Sequence, residues 1–288
     1  MKALQEGRWI KACAWTLRPL WKLIDERVLR SWVIQSDDTG LLVLDKQKKG
    51  GSRRGRLWAN VGDARFVAYH YSPDWRHKHP VRFLAGCAGF LQTDGYKGYE
   101  ALCDGKGGLA IRAGCYMHAR RYFVKALQAG EPKAARPIEI IRALYAVERA
   151  SKEAGEDADA RFARRQEHSV PILDELGDWR LDHAGRYPPK SPMGKALTYL
   201  HGQWESLGVF LADGRIELDN GGAERALRGI AVGRRNWLFA GSDAGGERAA
   251  ILYSLIESAK LHGIDPLRTS AMCSGSSARA GRCGVSKS

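Results

Sequence analysis

The order of strand-like and helical segments limits the folds open to this chain. Apolar runs typical of strands occur between residues 32 and 72, as WVIQSD, LLVLD, RLWANVGD and FVAYHYS. HPVRFLAG then predicts a short helix, GFLQTDG and LAIRAGC predict two more strands, and YMHARRYFVKALQA predicts a helix after the last strand. Strands come first and then alternate with helices, so the pattern predicts a three-layer α/β fold.

Helical segments flank and interrupt this core. Residues 1–33 carry apolar side chains at helical spacing, with Pro19 as a predicted kink or break. The segment 131–213 is charged and helical in pattern and has no clear strand, which predicts an all-helical insertion. A helix around Glu224, a strand at NWLFAG and an amphipathic helix from about 245 to 262 are predicted to close the core.

These patterns predict five consecutive parts. They are a helical N-terminal segment (1–33), the first part of the core (34–130), the helical insertion (131–213), the closing part of the core (214–268) and a tail (269–288). The tail is rich in serine and glycine and has no hydrophobic period, so it is predicted to be disordered.

The charge of the chain predicts a polyanionic partner. Lysine and arginine number 46 against 32 aspartates and glutamates, which gives a net charge of +14. Such an excess favours nucleic acid or an anionic membrane surface. No apolar run approaches the 18 residues of a membrane span, and the N-terminus has no signal-peptide pattern. Six scattered cysteines fit a reducing compartment, so a cytoplasmic location is expected.

The stretch LDNGGAERALRGIAVGRRNW places one acid, Glu224, inside a basic helix. Its arginines are Arg225, Arg228, Arg234 and Arg235. A local i,i+4 ion pair between Glu224 and Arg228 is one interpretation, worth a few tenths of a kcal/mol on an exposed helix. A metal-binding carboxylate surrounded by phosphate-binding arginines is the other.

Two further acids follow apolar strand-like runs. Asp37 follows VIQS and Asp94 follows FLQT, so both are predicted at strand ends. A buried strand carries a carboxylate only where something offsets its charge, and Mg²⁺ or Mn²⁺ does so. Two such ions held by three carboxylates form a common site for phosphodiester cleavage and strand transfer. The alternative for each aspartate alone is a turn-former or a helix cap.

Other chemistries have weaker support in the sequence. Cys115 and His118 form a C-x-x-H pattern at a strand-to-helix junction, but zinc needs two more ligands at workable spacing. A packed cysteine beside a histidine at the helix start is favoured. A phosphate-binding loop, a Rossmann fingerprint and a G-x-S-x-G nucleophile elbow are all missing from the sequence.

Several longer motifs together resemble one family. VIQSDDTG, RLWANVGD, FLAGCAGFLQTDGYKGY, CYMHARRYF, SVPILDELGDW and the stretch from LDNGGAERALRG to LHGIDP resemble DDE-type transposases of the bacterial insertion-sequence sixty-six family. The resemblance covers roughly residues 8–267. It implies a ribonuclease-H-like mixed sheet flanked by helices, with an all-α insertion before the last catalytic helix.

The resemblance also implies the site and its partners. Asp37, Asp94 and Glu224 would be the catalytic acids and would bind two Mg²⁺ or Mn²⁺ ions. His118, at the start of its predicted helix, is a candidate for a supporting position near them. Double-stranded DNA, both element ends and target, would be the substrate of cleavage and strand transfer. The arginines around Glu224 would face DNA phosphates, namely Arg225, Arg228, Arg234 and Arg235. The basic, glycine-containing segment 46–56 predicts a mobile cationic hairpin loop, and its Lys48, Lys49, Arg53 and Arg54 are also expected to hold phosphates. The chain would act as a homodimer or higher oligomer in the DNA complex, together with other proteins of the same element. It would lie in the bacterial cytoplasm on the nucleoid, and no membrane contact is expected.

The sequence departs from the family pattern at several points. Gln35 and Gly40 stand where the family usually has histidine and proline, and Gly221 and Gly222 precede the third acid. Glycine weakens helices, so the helix of Glu224 is expected to begin late or to fray. Most of the family's N-terminal DNA-binding region is expected to be lacking, and the tail is atypical. An alternative function is therefore an impaired copy that binds DNA or inhibits transposase without catalysis. A ribonuclease-H-like nuclease that acts without transposition would share the site.

Overall fold

The computed structural model describes residues 2–106, 108–237 and 240–266, with side chains from residue 7 onward except at positions 235–237. Five strands form a sheet in the order β3-β2-β1-β4-β5. Their bounds are β1 (Val33–Leu44), β2 (Ser52–Gly62), β3 (Phe66–Ser72), β4 (Phe90–Gln92) and β5 (Ile111–Ala113). The pairs β1–β2 and β2–β3 are antiparallel and β4–β5 is parallel. A mixed sheet flanked by helices confirms the predicted fold class, the ribonuclease-H-like arrangement.

Ten α-helices are present in the described residues. They are α1 (Lys2–Leu29), α2 (Lys78–Phe83), α3 (Tyr116–Gln128), α4 (Ala135–Glu153), α5 (Ala158–Arg164), α6 (Val170–Asp182), α7 (Pro192–Gly202), α8 (Trp204–Gly208), α9 (Gly221–Trp237) and α10 (Asp243–Leu261). Short 3₁₀ segments at 97–102, 132–134 and 209–212 and a π-helical turn at 165–169 connect them. None of the helices described is long and apolar enough to cross a membrane.

The chain forms two compact units. The first contains the described parts of residues 1–89, 98–109 and 222–288, and the second contains residues 90–97 and 110–221. The first unit therefore holds the β1–β2–β3 meander with α1, α2, α10 and most of α9. The second holds β4, β5 and the helices α3 to α8.

In the first unit, α10 covers the edge strand β3. Ser254 Oγ accepts the backbone N–H of Tyr69 at 2.7 Å, and Ser258 Oγ accepts that of Val67 at 3.0 Å. An edge strand presents unpaired N–H groups, and these two serines satisfy a pair of them. A buried cluster beneath them joins β1, β2 and β3 to α9 and α10, with Leu41 and Leu57 both fully buried.

One long strand replaces the two predicted at WVIQSD and LLVLD. β1 runs without interruption from Val33 to Leu44, paired throughout with β2. Asp37 therefore lies inside a strand, and its predicted strand-end position is wrong. The adjacent acids Asp37 and Asp38 do not end the strand, because Asp38 forms an ion pair with Arg56 of β2. Arg56 lies two positions from Trp58, the residue opposite Asp38.

The helices differ from the sequence prediction at three points. Pro19 lies inside α1 and does not break it. The strand predicted at NWLFAG is wrong in its first half, because α9 continues through Trp237. Ala240 forms a single parallel bridge with Val43 of β1. The expected late start of the Glu224 helix is also wrong, since α9 begins at Gly221. The tail 269–288 lies outside the described residues.

In the second unit, a buried arginine ties the helices to the segment that leads into α9. Arg165 is fully buried and donates to both carboxylate oxygens of Glu148, at 2.7 and 2.8 Å. It also donates to the carbonyls of Phe210, Asp213 and Ile216 at 2.7 to 3.0 Å. Burial alone raises the pKa of Glu148, but Arg165 and then Arg161 bring that pKa below its ordinary value. The segment before Asp219 is thus held by charge-assisted hydrogen bonds.

Candidate functional site

Asp37 lies on the face of β1 that packs against α9. Side chains two residues apart in a strand share one face of the sheet. Leu41 and Val43 belong to the same buried cluster as Ala226 and Leu227 of α9, so the odd-numbered positions of β1 face that helix. The β1–β2 register is continuous from Ile34 to Leu44, and therefore Asp37 shares this face. It is half-buried.

Asp38 belongs to the opposite face. Arg56 Nη1 donates to Asp38 Oδ2 at 2.8 Å, and Trp75 Nε1 donates to Asp38 Oδ1 at 3.0 Å. The Arg56 guanidinium also lies over the Trp75 ring, 4.6 Å from its centroid. Asp38 is thus engaged in a structural contact, which singles out Asp37 as the acid of this pair that faces α9.

Gln35 joins β1 directly to the first turn of α9. Its Oε1 accepts the backbone N–H of Gly222 at 2.8 Å. A Cβ atom at position 222 would lie 2.3 Å from the same oxygen, closer than any real Cβ contact. A side chain at this position would displace the Gln35 amide from the hydrogen bond, which favours glycine there. Asp37 lies two residues beyond Gln35 on the same face, and Glu224 lies two residues beyond Gly222.

We expect Gly222→Ala to lower the free energy of unfolding by about 1–3 kcal/mol, because the added methyl overlaps Gln35 Oε1. Helix propensity alone predicts the opposite sign, since alanine is favoured over glycine by about 1 kcal/mol. Thermal or urea unfolding measures the difference. Adding Gln35→Ala to Gly222→Ala removes the obstructing group and should restore part of the loss.

Gly229 of the same helix provides the matched control. It is exposed, and a Cβ there would lie 3.6 Å from Glu257 Oε1, an ordinary contact. Gly229→Ala should therefore leave stability unchanged or raise it. Equal unfolding free energies for Gly222→Ala and Gly229→Ala would show that the close approach of α9 to β1 does not exist.

The first two turns of α9 expose arginines beside Glu224. Ala223 is fully buried against the sheet, and Glu224 is half-buried. Arg225 and Arg228 are exposed and have no ion pair or hydrogen bond among the residues that the structure describes. The local Glu224–Arg228 ion pair considered from the sequence is thus not formed.

The two later arginines of α9 differ from these. Arg234 is half-buried and donates to the carbonyl of Gly40 in β1. This places its guanidinium against the protein backbone. The side chain of Arg235 lies outside the described residues.

The basic segment after β1 forms a hydrogen-bonded turn. The Asp45 N–H donates to the Gly51 carbonyl at 2.9 Å, and the Lys48 N–H donates to the Asp45 carbonyl at 3.1 Å. Lys48 and Lys49 are exposed on it. Its predicted basic residues therefore divide between the turn and the strand that follows.

Arg53 and Arg54 lie on β2, so their predicted loop position is wrong. Arg53 binds Asp243 at the start of α10 and donates to the Pro73 carbonyl at 2.8 Å. Arg54 is exposed and has no ion pair or hydrogen bond within the described part of the chain.

Asp94 lies in a constrained turn of the second unit, two residues after β4. Its Oδ1 accepts the backbone N–H of Tyr96 at 3.0 Å, and Arg112 Nη2 donates to the Asp94 carbonyl at 2.8 Å. A Cβ atom at Gly95 would lie 2.7 Å from the Tyr199 ring, so this turn requires glycine. The half-buried carboxylate of Asp94 thus accepts the N–H two residues on, the turn-former arrangement that the sequence left open for this aspartate, and Arg112 holds the backbone of the same turn.

Cys115 and His118 form a local pair at the start of α3. His118 Nδ1 lies 3.2 Å from Cys115 Sγ. Burial raises the pKa of the Cys115 thiol to about 12, so the sulfur is protonated at neutral pH. A neutral buried thiol is a poor metal ligand and a poor nucleophile, which agrees with the packed-cysteine interpretation.

The carboxylates suit a hard divalent cation by chemistry. Mg²⁺ and Mn²⁺ prefer oxygen ligands, and Asp37, Asp94 and Glu224 offer carboxylate oxygens. Within residues 2–106, 108–237 and 240–266, no three side chains of His, Cys, Asp or Glu are grouped so as to hold a metal ion. The three acids have the ligand chemistry that these ions prefer, but their convergence on a common site stays a prediction.

Comparison with known proteins gives consistent matches. A model described as "Transposase IS66 family" matches residues 4–248. The uncharacterized protein y4hP of Sinorhizobium fredii is 34% identical over 273 residues, covering 87% of this chain and 49% of the relative. The uncharacterized protein y4jD of the same organism is 35% identical over 273 residues, covering 90% and 53%. The chain spans about half the length of these relatives. The family match covers most of the chain and includes Asp37, Asp94 and Glu224, and we conclude that the chain belongs to the IS66 transposase family.

Proposed function

We propose that this chain is the catalytic core of a DNA transposase, which cleaves DNA at the ends of an insertion sequence and joins those ends to target DNA. One observation in particular supports the proposal. β1 presents Asp37 on the face that packs against α9, and α9 carries Glu224 next to two exposed arginines that have no protein partner among the described residues. Membership of a transposase family supports it independently.

Asp37, Asp94 and Glu224 are proposed to bind two Mg²⁺ or Mn²⁺ ions. When bound, such ions supply Lewis-acid chemistry that activates the attacking oxygen and stabilises the leaving oxygen of an in-line displacement. The contribution of this chain is to hold the carboxylates on rigid elements. The Gln35–Gly222 hydrogen bond fixes the start of α9 against β1, and Arg112 fixes the turn of Asp94. His118 is proposed as a supporting residue.

DNA phosphates are proposed to bind the exposed basic side chains of the first unit. Arg225, Arg228, Lys48, Lys49 and Arg54 are exposed and have no protein partner within the described residues. Arg234 and Arg53 are already engaged with protein groups, so we assign them a smaller part. Two or more copies of the chain, with other proteins of the same element, are proposed in the DNA complex, on the bacterial nucleoid in the cytoplasm.

The proposed function is tested with purified protein and a supercoiled plasmid that carries the element ends. We expect nicking at the ends in Mg²⁺ or Mn²⁺ and no nicking in EDTA. Joined products should appear when target DNA is added. DNA binding without cleavage in either metal would overturn the catalytic proposal and support a DNA-binding or transposase-inhibiting module.

We expect Arg225→Ala together with Arg228→Ala to weaken binding to all duplex sequences about equally, because phosphate contacts carry no sequence information. The slope of log K against log salt should become less steep by about 2, one phosphate contact for each arginine. Fluorescence anisotropy at several salt concentrations measures both effects.

The control is Arg149→Ala, on an exposed arginine of α4 that also has no partner within the described part of the chain. It should leave the salt slope unchanged. An unchanged slope in the Arg225 and Arg228 double variant would remove α9 from the DNA-binding surface.

A further inference from the structure

A half-open cleft lies on the first unit, beside the edge strand β3. Its volume is about 300 Å³, and it is formed by α1, β3, the end of α2 and the first turns of α10. Neither Asp37 nor Glu224 lines it. The proposed metal site therefore does not account for the cleft.

Aromatic rings form much of the wall of this cleft. The His70 ring stacks on Phe83 with centroids 4.4 Å apart, and Trp21 meets His70 edge-on at 5.5 Å. Trp21 Nε1 donates to the Tyr69 carbonyl at 3.2 Å, which fixes the indole. Trp15 also lines the cleft, and 75% of its surface is exposed. An exposed indole beside fixed rings offers a flat apolar surface on which a planar ligand can stack.

The charge around the rings is strongly positive. Four cations line the cleft, Lys11, Arg18, Arg82 and Arg248, against one carboxylate, Glu247. None of the four cations forms an ion pair or a side-chain hydrogen bond within the described residues. Four unneutralised cations in one small cleft repel each other, and an anionic ligand would relieve that repulsion.

We propose that this cleft binds one nucleotide of single-stranded DNA, with the base stacked on Trp15 and the phosphate held by the surrounding cations. The proposal rests on the proposed function, which makes DNA the partner. Aromatic stacking combined with a basic groove is the general mode of single-strand binding. Bases in a duplex are already stacked on their neighbours, so their faces are available only at an unpaired or frayed position. An anionic membrane attracts the same residue types, but a membrane surface is flat, whereas these residues enclose a cleft.

The test measures binding of a fluorescein-labelled dT12 oligonucleotide by anisotropy in EDTA. Trp15→Ala should weaken binding about tenfold, the size of effect found when one stacking ring is removed. Arg18→Ala should weaken it several-fold and reduce the salt dependence. Trp9→Ala and Arg27→Ala are the controls, because both residues lie exposed on α1 outside the lining of the cleft. Neither control should change the affinity.

A second measurement locates the base. An oligonucleotide with 5-iododeoxyuridine should crosslink on irradiation to the peptide containing Trp15, as identified by mass spectrometry. Equal affinity of Trp15→Ala and Trp9→Ala, or crosslinks only outside the cleft, would overturn the proposal. Loss of binding to phosphatidylglycerol vesicles in Trp15→Ala, with oligonucleotide affinity unchanged, would also overturn it and indicate a lipid surface instead.

The outcome is separable from the proposed function. Oligonucleotide binding is measured without divalent metal, whereas transposition chemistry is measured as Mg²⁺-dependent nicking. If the parent protein nicks DNA and its cleft variants bind dT12 with the parent affinity, the cleft proposal alone is overturned. If the cleft variants bind dT12 more weakly than the parent protein but the parent protein does not nick DNA, the catalytic proposal alone is overturned.

Discussion

Asp37→Asn is expected to reduce the rate of Mg²⁺-dependent DNA nicking about a thousandfold, because a lost metal-binding carboxylate removes several kcal/mol of transition-state stabilisation. Asp94→Asn and Glu224→Gln should have losses of similar size, since all three acids are proposed to serve one site. DNA affinity in EDTA should stay within a fewfold of the parent protein, because none of the three contacts phosphate without metal. Single-turnover nicking with excess protein measures the rate.

Asp38→Asn is the matched control for this series. It changes the adjacent carboxylate on the same strand, but its side chain faces the other side of the sheet and binds Arg56 and Trp75. Its nicking rate should remain within about tenfold of the parent protein, a limit that allows for a lost structural ion pair. A loss as large in Asp38→Asn as in Asp37→Asn would show that the wrong acid of the pair has been assigned.

Arg165→Ala is expected to lower the free energy of unfolding by about 3–5 kcal/mol, the usual effect of breaking a buried ion pair. The side chain is fully buried, and its removal leaves Glu148 with Arg161 alone and takes one donor from each of three backbone carbonyls. Urea unfolding at neutral pH measures the loss. Arg164→Ala is the control at the preceding position, where the guanidinium binds Glu156 at the surface. It should change the free energy of unfolding little.

The same ion pair predicts that the free energy of unfolding depends on pH in the acid range. The pKa of Glu148 in the folded chain lies below its ordinary value of 4.5. Its contribution to stability is therefore complete above pH 4.5 and is lost as the pH falls through the folded-state pKa. Glu148→Gln should remove this part of the acid sensitivity. An unfolding free energy that falls equally steeply below pH 4.5 in the parent protein and in Glu148→Gln would contradict the assignment.

Local patterns predicted most of the helices and strands because their periodicity is set by residues close in the chain. They did not predict that β1 continues through Asp37 and Asp38. The sequence interpretation ended the first strand at Asp37, whereas in the structure the strand continues and Arg56 on the neighbouring strand offsets the charge of Asp38. Such a contact depends on pairing between strands and leaves no periodic signal.

Longer-range contacts explain what else the sequence did not reveal. Two glycines before Glu224 predicted a weak helix start, but Gly222 leaves room for the side chain of Gln35, a residue 187 positions away that accepts its N–H. Arg165 lies in ARFARRQEHS, which has the composition of an exposed helix, and yet it is fully buried. The acids Asp37, Asp94 and Glu224 were found from motifs alone, and their convergence on one metal site stays a prediction.

The central claim, one metal site shared by three acids, is tested most directly by iron-mediated cleavage of the protein backbone. Fe²⁺ occupies oxygen-ligand sites for Mg²⁺ or Mn²⁺, and with ascorbate and peroxide it generates radicals that cut the chain close to the ion. We expect cuts near Asp37, Asp94 and Glu224 together, suppressed by excess Mg²⁺ and all lost in Asp37→Asn. Cuts near one acid only, or cuts that persist unchanged in Asp37→Asn, would contradict a shared site.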